Sequence, residues 1–308
     1  MLETIRFNTL DCARLENGAV SLLVTQSAGP RVLSLKLQGE QNLLAELPDT
    51  NLECPGAGEL KLWGGHRLWH APEVSRRTYL PDDQPVDISP IPNGLLITQP
   101  VEVPTGLQKS MRMVLPDETA TVVIDHSLTN HGLWPVECAP WAITQMRCGG
   151  VALLPQNISF SDPEGLQPNR LVALWPYTDA NSPHITWGNH FILIRAAMES
   201  GALKLGFPNP QGWLGYLLGR TLFVKRAPFD PDADYYDYGS SSQCYCNPKF
   251  LELETLGPCS TIDPGASVTH REVWEVYADV AMEPTEASAR AWADRLELSK
   301  AAGRTSVV

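Results

Sequence analysis

Apolar positions along this chain come in short runs, broken by Gly, Pro, Asn and Asp. The segment Gly18 to Lys36 (GAVSLLVTQSAGPRVLSLK) holds two such runs on either side of Gly29-Pro30 and predicts a hairpin-like pair of strands. Further strands are predicted at Gly94 to Val101, Ser110 to Val114, Ala120 to Leu128 and, after an Asn130-His131-Gly132 turn, Pro135 to Met146. Others follow at Ile185 to Trp187, Phe191 to Ala196, Leu203 to Gly206, Leu214 to Lys225, Lys249 to Thr255, Cys259 to Ile262 and Ser267 to Tyr277. Roughly a dozen strands separated by turn residues, with no alternation of strand and helix and no fixed-period repeat, predict packed antiparallel sheets. A helical period emerges only near the end, over Glu283 to Lys300. Pro284 and Thr285 mark its start, and Ala287, Ala291, Trp292 and Leu296 form the face expected to pack on the outside of the sheets. Leu80 to Pro90 and the acidic, tyrosine-rich Pro228 to Gln243 read as loops.

Composition sharpens this all-β reading. The chain has 308 residues, 43% hydrophobic and 19% charged, which is enough for a substantial core, and its 26 prolines suit many corners and few long helices. No segment reads as an interdomain linker. The expectation is therefore one large antiparallel β-sandwich over residues 1–280, with residues 281–308 a C-terminal helix and tail of the same domain. A net charge of -12 disfavours a phosphate-backbone partner and an anionic membrane surface, and leaves a small neutral or cationic ligand. No apolar run is long enough to span a bilayer. MLETIRFNTL lacks the basic and apolar regions of a signal peptide, and seven cysteines without a spaced framework read as reduced thiols, so the expected location is cytoplasmic. Oligomeric state is not encoded in any recognisable pattern.

Three segments concentrate reactive side chains. Trp63-Gly64-Gly65-His66-Arg67-Leu68-Trp69-His70-Ala71-Pro72-Glu73 places two imidazoles, a guanidinium, a carboxylate and two indoles after a Gly-Gly pair able to approach a ligand closely. In extended chain His66, Leu68 and His70 share one face, and Arg67 and Trp69 the other. His66, His70 and Glu73 are conceivable metal ligands. The zinc-protease pattern, however, needs a helix with a glutamate between the histidines, so neither metal nor cofactor is expected. In Phe250-Leu251-Glu252-Leu253-Glu254, alternation puts both carboxylates on one face. About 7 Å apart along a strand they repel, which raises one pKa toward that of a general base. The loop around Asp230 to Tyr238 mixes carboxylates and rings, a combination suited to sugar hydroxyls and C–H faces, with Tyr236 and Asp237 as candidates. Cys244-x-Cys246 has neither redox spacing nor a second pair for zinc. Each segment also has a plain structural explanation, as a core-plugging loop, a solvated strand face or an acidic surface loop.

The order of these segments resembles the galactose mutarotase-like superfamily, and within it a bacterial branch. The resemblance is carried by Trp63-Gly64-Gly65-His66-Arg67, by Leu128-Thr129-Asn130-His131-Gly132 with Pro135 and Pro140-Trp141, and by Phe250 to Glu254 followed by Asp263-Pro264-Gly265 and His270 to Trp274. It spans about Gly18 to Tyr277. It implies a sandwich with a sugar cleft and sugar 1-epimerase chemistry, in which a glutamate takes the anomeric hydroxyl proton and a histidine protonates the ring oxygen. Glu252 or Glu254 matches the base strand, Glu252 slightly better. The strand where the family carries its acid reads Trp141-Ala142-Ile143-Thr144-Gln145-Met146, without histidine, so His66 or His70 is the expected substitute. Arg67 is then a hydroxyl or anion anchor, Glu73 and Asp237 further substrate contacts, and Trp63, Trp69 and Tyr236 platforms. The other readings are carbohydrate binding without turnover, and lyase or hydrolase chemistry on the same sandwich.

Overall fold

The computed structural model describes residues 3–299. Its frame is two large antiparallel sheets, one of 11 strands and one of 10, with a separate two-stranded ribbon. In the larger sheet the central strands run in the order Arg31–Leu37, His66–Ala71, Val136–Arg147, Phe250–Leu256, Ser242–Cys246 and Leu203–Phe207. The centre of the other is Trp213–Leu218, Thr221–Arg226, Ser267–Tyr277, Thr121–Asn130 and Leu107–Val114. The ribbon, Glu46–Cys54 with Gly58–Gly64, folds over the outer face of the larger sheet, where Leu47, Leu60 and Leu62 pack with Trp69 and Trp141.

The predicted all-β sandwich is thus present, with more strands than the apolar runs indicated. Gly219-Arg220 turns the single run Leu214 to Lys225 into two strands. Half-polar edge strands such as Thr4–Phe7 and Asp87–Ile91 lack the continuous apolar signal. The C-terminal helix is shorter than expected, Glu286–Arg295, and is N-capped by Thr285, whose side chain accepts from Ser288 N. It does pack on the outside, but through Ala289 and Ala293 with Trp292 and Leu296, whereas Ala287 and Ala291 face solvent. The tail at 300–308 lies outside the described residues. No helix among the described residues is long and apolar enough to cross a membrane.

Alternation along the strands builds two environments on each central strand. Leu68, Leu251 and Leu253 point between the sheets into the main apolar core. At the centre of that core sits a fully buried polar network that joins the sheets. Lys225 Nζ lies 2.8 Å from Glu272 Oε1 and also donates to Ala142 O, Leu253 O and Thr144 Oγ1. Glu272 accepts further from Trp274 Nε1 and Thr255 Oγ1. Thr144 Oγ1 lies 2.9 Å from His66 Nδ1, His66 Nε2 lies 2.7 Å from His126 Nε2, and His126 Nδ1 lies 3.0 Å from His270 O. A carbonyl only accepts, so His126 carries its proton on Nδ1. His66 must then donate from Nε2 and accept from Thr144, which gives one consistent set of neutral tautomers. His66, His126 and Glu272 have donor atoms close enough to be considered for a metal ion. Here, however, the two imidazole nitrogens are matched as donor and acceptor to each other and Glu272 is matched to Lys225.

Burial drives the charges of this network. It holds His66, His126 and His270 below their usual range. Burial alone would raise Glu272, but Lys225 and the neighbouring imidazoles outweigh it and hold the carboxyl far below the normal value. Removing one partner of such a pair strands the other charge, at a cost of about 3–5 kcal/mol. Lys225→Met is therefore expected to lower unfolding free energy by about that amount in denaturant titrations.

The histidines add a pH dependence. Below about pH 6.5 the unfolded chain binds protons that the folded chain refuses, so stability is full above that pH and falls below it. The denaturation midpoint is expected to drop steadily from pH 7 to pH 5. A midpoint that stays level across that interval in Glu252→Gln protein, where the opposing effect of that raised carboxyl is removed, would show that these imidazoles are not held neutral.

Candidate functional site

The opposite face of the larger sheet carries the candidate site. Register aligns Gln145, Glu252, Tyr245 and Lys204 in one row across four strands, because Gln145 pairs with Glu252, Glu252 with Tyr245, and Tyr245 with Lys204. A second row pairs Trp69 with Trp141. Their rings meet edge-on at 5.4 Å between centroids. Glu252, Tyr245 and Lys204 of the first row, with Trp69 and Trp141, floor a cavity of about 500 Å³. Its walls add Glu73 and Tyr79 from the crossover after His66–Ala71, Trp175 and Tyr177 from the far edge, and Asn247, Lys249 and Phe250 from a turn. Aromatic walls around a few polar groups are what a flat, hydroxyl-rich ligand requires.

Glu252 is partly exposed in this cavity, whereas Glu254 is fully buried beneath it. Glu254 Oε2 accepts from Trp141 Nε1 at 2.8 Å and from Lys204 Nζ at 2.9 Å. The Lys204 ammonium also sits over two indoles, 4.7 Å from the Trp141 centroid and 4.8 Å from that of Trp175. Burial would lower the Lys204 pKa, but Glu254, with help from Glu73 and Glu252, more than offsets this and raises it. For Glu252, burial and the Glu254 charge raise the carboxyl pKa, against Arg67 and Lys204, which lower it. The Tyr79 hydroxyl donates to Glu73, and burial together with that carboxylate keeps Tyr79 protonated well above its normal range.

The residues expected from sequence divide sharply. Trp69, Glu73 and Glu252 line the cavity. Arg67 lies just behind it and reaches Glu252 through Gln145. His66 and His70 do not meet the glutamates. They alternate with Arg67 and Trp69, so they project to the inner side of the sheet while Glu252 and Glu254 project outward. His66 is spent in the inter-sheet network. His70 is 1% exposed with both ring nitrogens unpaired, and burial and nearby Lys109 hold it neutral, with a pKa of about 3. The expectation that either imidazole shares a pocket with the carboxylates therefore fails.

Trp63 packs against Leu10, Cys12, Ala28 and Leu33, away from the cavity. The Gly-Gly pair approaches backbone, not a ligand. A Cβ on Gly64 would stand 1.9 Å from Ala45 O, and one on Gly65 2.0 Å from Val32 O. Tyr236 bonds to Glu137, and Asp237 accepts from Gln243 Nε2 at 2.7 Å; neither lines the cavity. Sequence reasoning missed Lys204, Tyr79, Trp175, Tyr177 and Tyr245. Lys204, alternating with Leu203 and Leu205 in a short apolar run, left a signal: a lysine on one face of an otherwise buried strand.

No family model matches the sequence, and no curated protein matches it. Solved structures do. A protein from Klebsiella pneumoniae, proposed to be an aldose 1-epimerase, aligns with a TM-score of 0.59 at 10% identity over 96% of this chain and 85% of its own. A proposed mutarotase from Salmonella typhimurium aligns at 0.56 with 13% identity over 90% and 94%. A galactose mutarotase-like protein from Lactobacillus casei aligns at 0.51 with 12% identity over 86% and 100%. The chain therefore has the galactose mutarotase-like sandwich fold.

The Lys204–Glu254 pair makes a stability prediction. In Lys204→Met the buried Glu254 keeps only the Trp141 donor, so unfolding free energy is expected to fall by about 3 kcal/mol. A stranded carboxyl holds its proton more tightly folded than unfolded, so the loss should be greater at pH 8 than at pH 5. Equal losses at both values would show that Glu254 is not stranded.

Proposed function

We propose that the protein acts on a carbohydrate in this cavity as an acid–base isomerase at the anomeric centre. The observation that carries the reading is Glu252. It is a carboxylate with a raised pKa, on the floor of an aromatic-walled cavity of about 500 Å³, in one cross-strand row with the Lys204 ammonium. The fold shared with proposed aldose 1-epimerases supports it.

Glu252 takes the proton of the anomeric hydroxyl. As that oxygen forms a carbonyl, the bond between the anomeric carbon and the ring oxygen breaks, and its electron pair goes to the ring oxygen. Lys204 donates a proton there and becomes neutral. After rotation of the open-chain aldehyde, Lys204 takes the proton back, the ring oxygen attacks the other carbonyl face, and Glu252 returns its proton to the new hydroxyl. Base and acid act at the two oxygens of one carbon, so both must line the same cavity. Lys204 meets this condition, held in place by Glu254 and the two indoles. Trp69 and Tyr245 offer faces for the sugar ring, and Glu73, with Tyr79, offers hydrogen bonds to hydroxyls.

A second reading rests on a specific observation: among the described residues, no imidazole lines the cavity, and Trp141 stands on the strand where the resemblance places the acid. On this reading the same walls bind a sugar without converting it. The test is anomer interconversion by polarimetry or exchange NMR across a panel of aldoses, alongside sugar binding followed by tryptophan fluorescence. Glu252→Gln is expected to lower the rate by about 10²-fold or more with binding retained. Binding by the wild-type protein with no acceleration for any aldose would select the second reading.

A further inference from the structure

Arg67 is 1% exposed, and its Nη2 donates to Gln145 Oε1 at 2.5 Å. Gln145 is fully buried, and its Nε2 donates to Glu252 Oε1 at 2.8 Å. A guanidinium has donors and no acceptor, so the Gln145 carbonyl must face Arg67 and its amino group must face Glu252. Neither Arg67 nor Gln145 lines the cavity. From this chain we infer that Arg67 and Gln145 are positioning residues: Arg67 locks the Gln145 amide in the one orientation that donates to Glu252, and so keeps Glu252 ionised and aimed at the ligand. This inference deepens the proposed function and rests on it for its catalytic meaning, though the relay itself does not require turnover.

Without the lock a terminal amide can rotate and present its carbonyl to the carboxylate, which would favour the protonated acid. Glu252 is already pressed toward that form by burial and by Glu254 on its own strand. Lys204, from the strand Leu203–Phe207, pulls the other way. Of the other groups around it, Tyr79, Tyr177 and Tyr245 have pKa values raised by burial, as do Cys244 and Cys246 on the neighbouring strand, so they stay neutral through the neutral range. Glu73 and Lys249 lie in the cavity wall, and Lys225 acts from the inner layer. Among the described residues the Gln145 amide hydrogen-bonds Arg67 and Glu252 and none of these other side chains, so a change at Gln145 reports on the relay itself. Burial and the neighbouring Arg31 lower the Arg67 pKa to about 9, which still leaves it a cation at neutral pH.

The test is a carboxyl titration by NMR on full-length protein with ¹³C-labelled glutamate side chains, the Glu252 signal being identified by its loss in Glu252→Gln. Gln145→Leu and Arg67→Met are each expected to move the Glu252 midpoint up by about one pH unit. Arg67→Lys should recover part of that shift. In the Gln145→Leu background, Arg67→Met should add less than it does alone. The acid limb of kcat/KM should move with the midpoint, while KM on the alkaline side holds. In unmodified protein the Gln145 side-chain ¹⁵N amide signals should titrate together with Glu252, so the relay can be read even where a variant does not fold. A Glu252 midpoint unmoved in folded Gln145→Leu overturns the proposal, as does a Gln145 amide blind to that titration. If the relay is seen but no aldose is turned over, the isomerase reading falls and the relay stands. If turnover is seen and the midpoint does not move, the relay alone falls.

Discussion

The structure depends on an ion pair placed where water cannot reach it. Lys225 and Glu272 both belong to the smaller sheet, yet three of the four acceptors around the ammonium include two backbone carbonyls and a hydroxyl from the larger one. The pair thus fixes the two sheets in one alignment as well as adding to their adhesion. An apolar core of the same size tolerates sliding and repacking, whereas a buried ammonium is satisfied in one arrangement only. Ala142, Thr144 and Leu253 supply those acceptors, and Ala142 and Thr144 flank Ile143 on the strand that also carries Trp141 and Gln145. Locking the inner face of that strand therefore also locks the position of the cavity floor.

Alternation makes the two faces depend on each other. Leu253 lies between Glu252 and Glu254, Thr144 precedes Gln145, and His66 precedes Arg67. A slip of one residue would exchange the core for the cavity along the whole strand. The inner network acts as the register pin for the outer site, and the histidines belong to the pin. The electrostatic problem of the outer face is different: two glutamates on one strand face must coexist. Glu254 is neutralised by a lysine held between indoles, while Glu252 is only partly compensated, through an amide. That inequality leaves Glu254 buried in a bonded pair and Glu252 open to the cavity, although both have the same residue type and the same face.

This explains what was legible in the sequence. Period-two alternation was enough to predict an antiparallel sandwich and to place Glu252 with Glu254 and Arg67 with Trp69. It also stated that His66 and His70 face away from Arg67, and this, rather than the density of functional groups around the Gly-Gly pair, was the decisive information. What alternation cannot say is which face is inner. For strands buried on both sides that choice depends on partners distant in the chain, such as His126 and Glu272 for His66. Trp175 and Tyr177 were not legible as site residues for the same reason, since they stand outside the strands and only the fold brings their segment to the cavity, and Lys204 left only the signal of a lysine in a buried strand. Trp63, Tyr236 and Asp237 were attractive for their chemistry, and local packing and turn hydrogen bonds use that chemistry up.

The lack of an imidazole in the cavity lining, among the described residues, fits the same balance of charge. An imidazole beside Glu252 would compete with Lys204 for the same carboxylates, and the indole of Trp141 already donates one hydrogen bond to Glu254. With a lysine cation fixed between two indoles and bonded to Glu254, the cavity holds a charge that does not titrate near neutrality, where a histidine would. The carboxyl open to the cavity is Glu252, and its balance is set by burial and Glu254 on one side and by Arg67, Lys204 and Gln145 on the other. The charges around Glu252 are themselves held by the register that the Lys225–Glu272 pair imposes from the opposite face of the sheet.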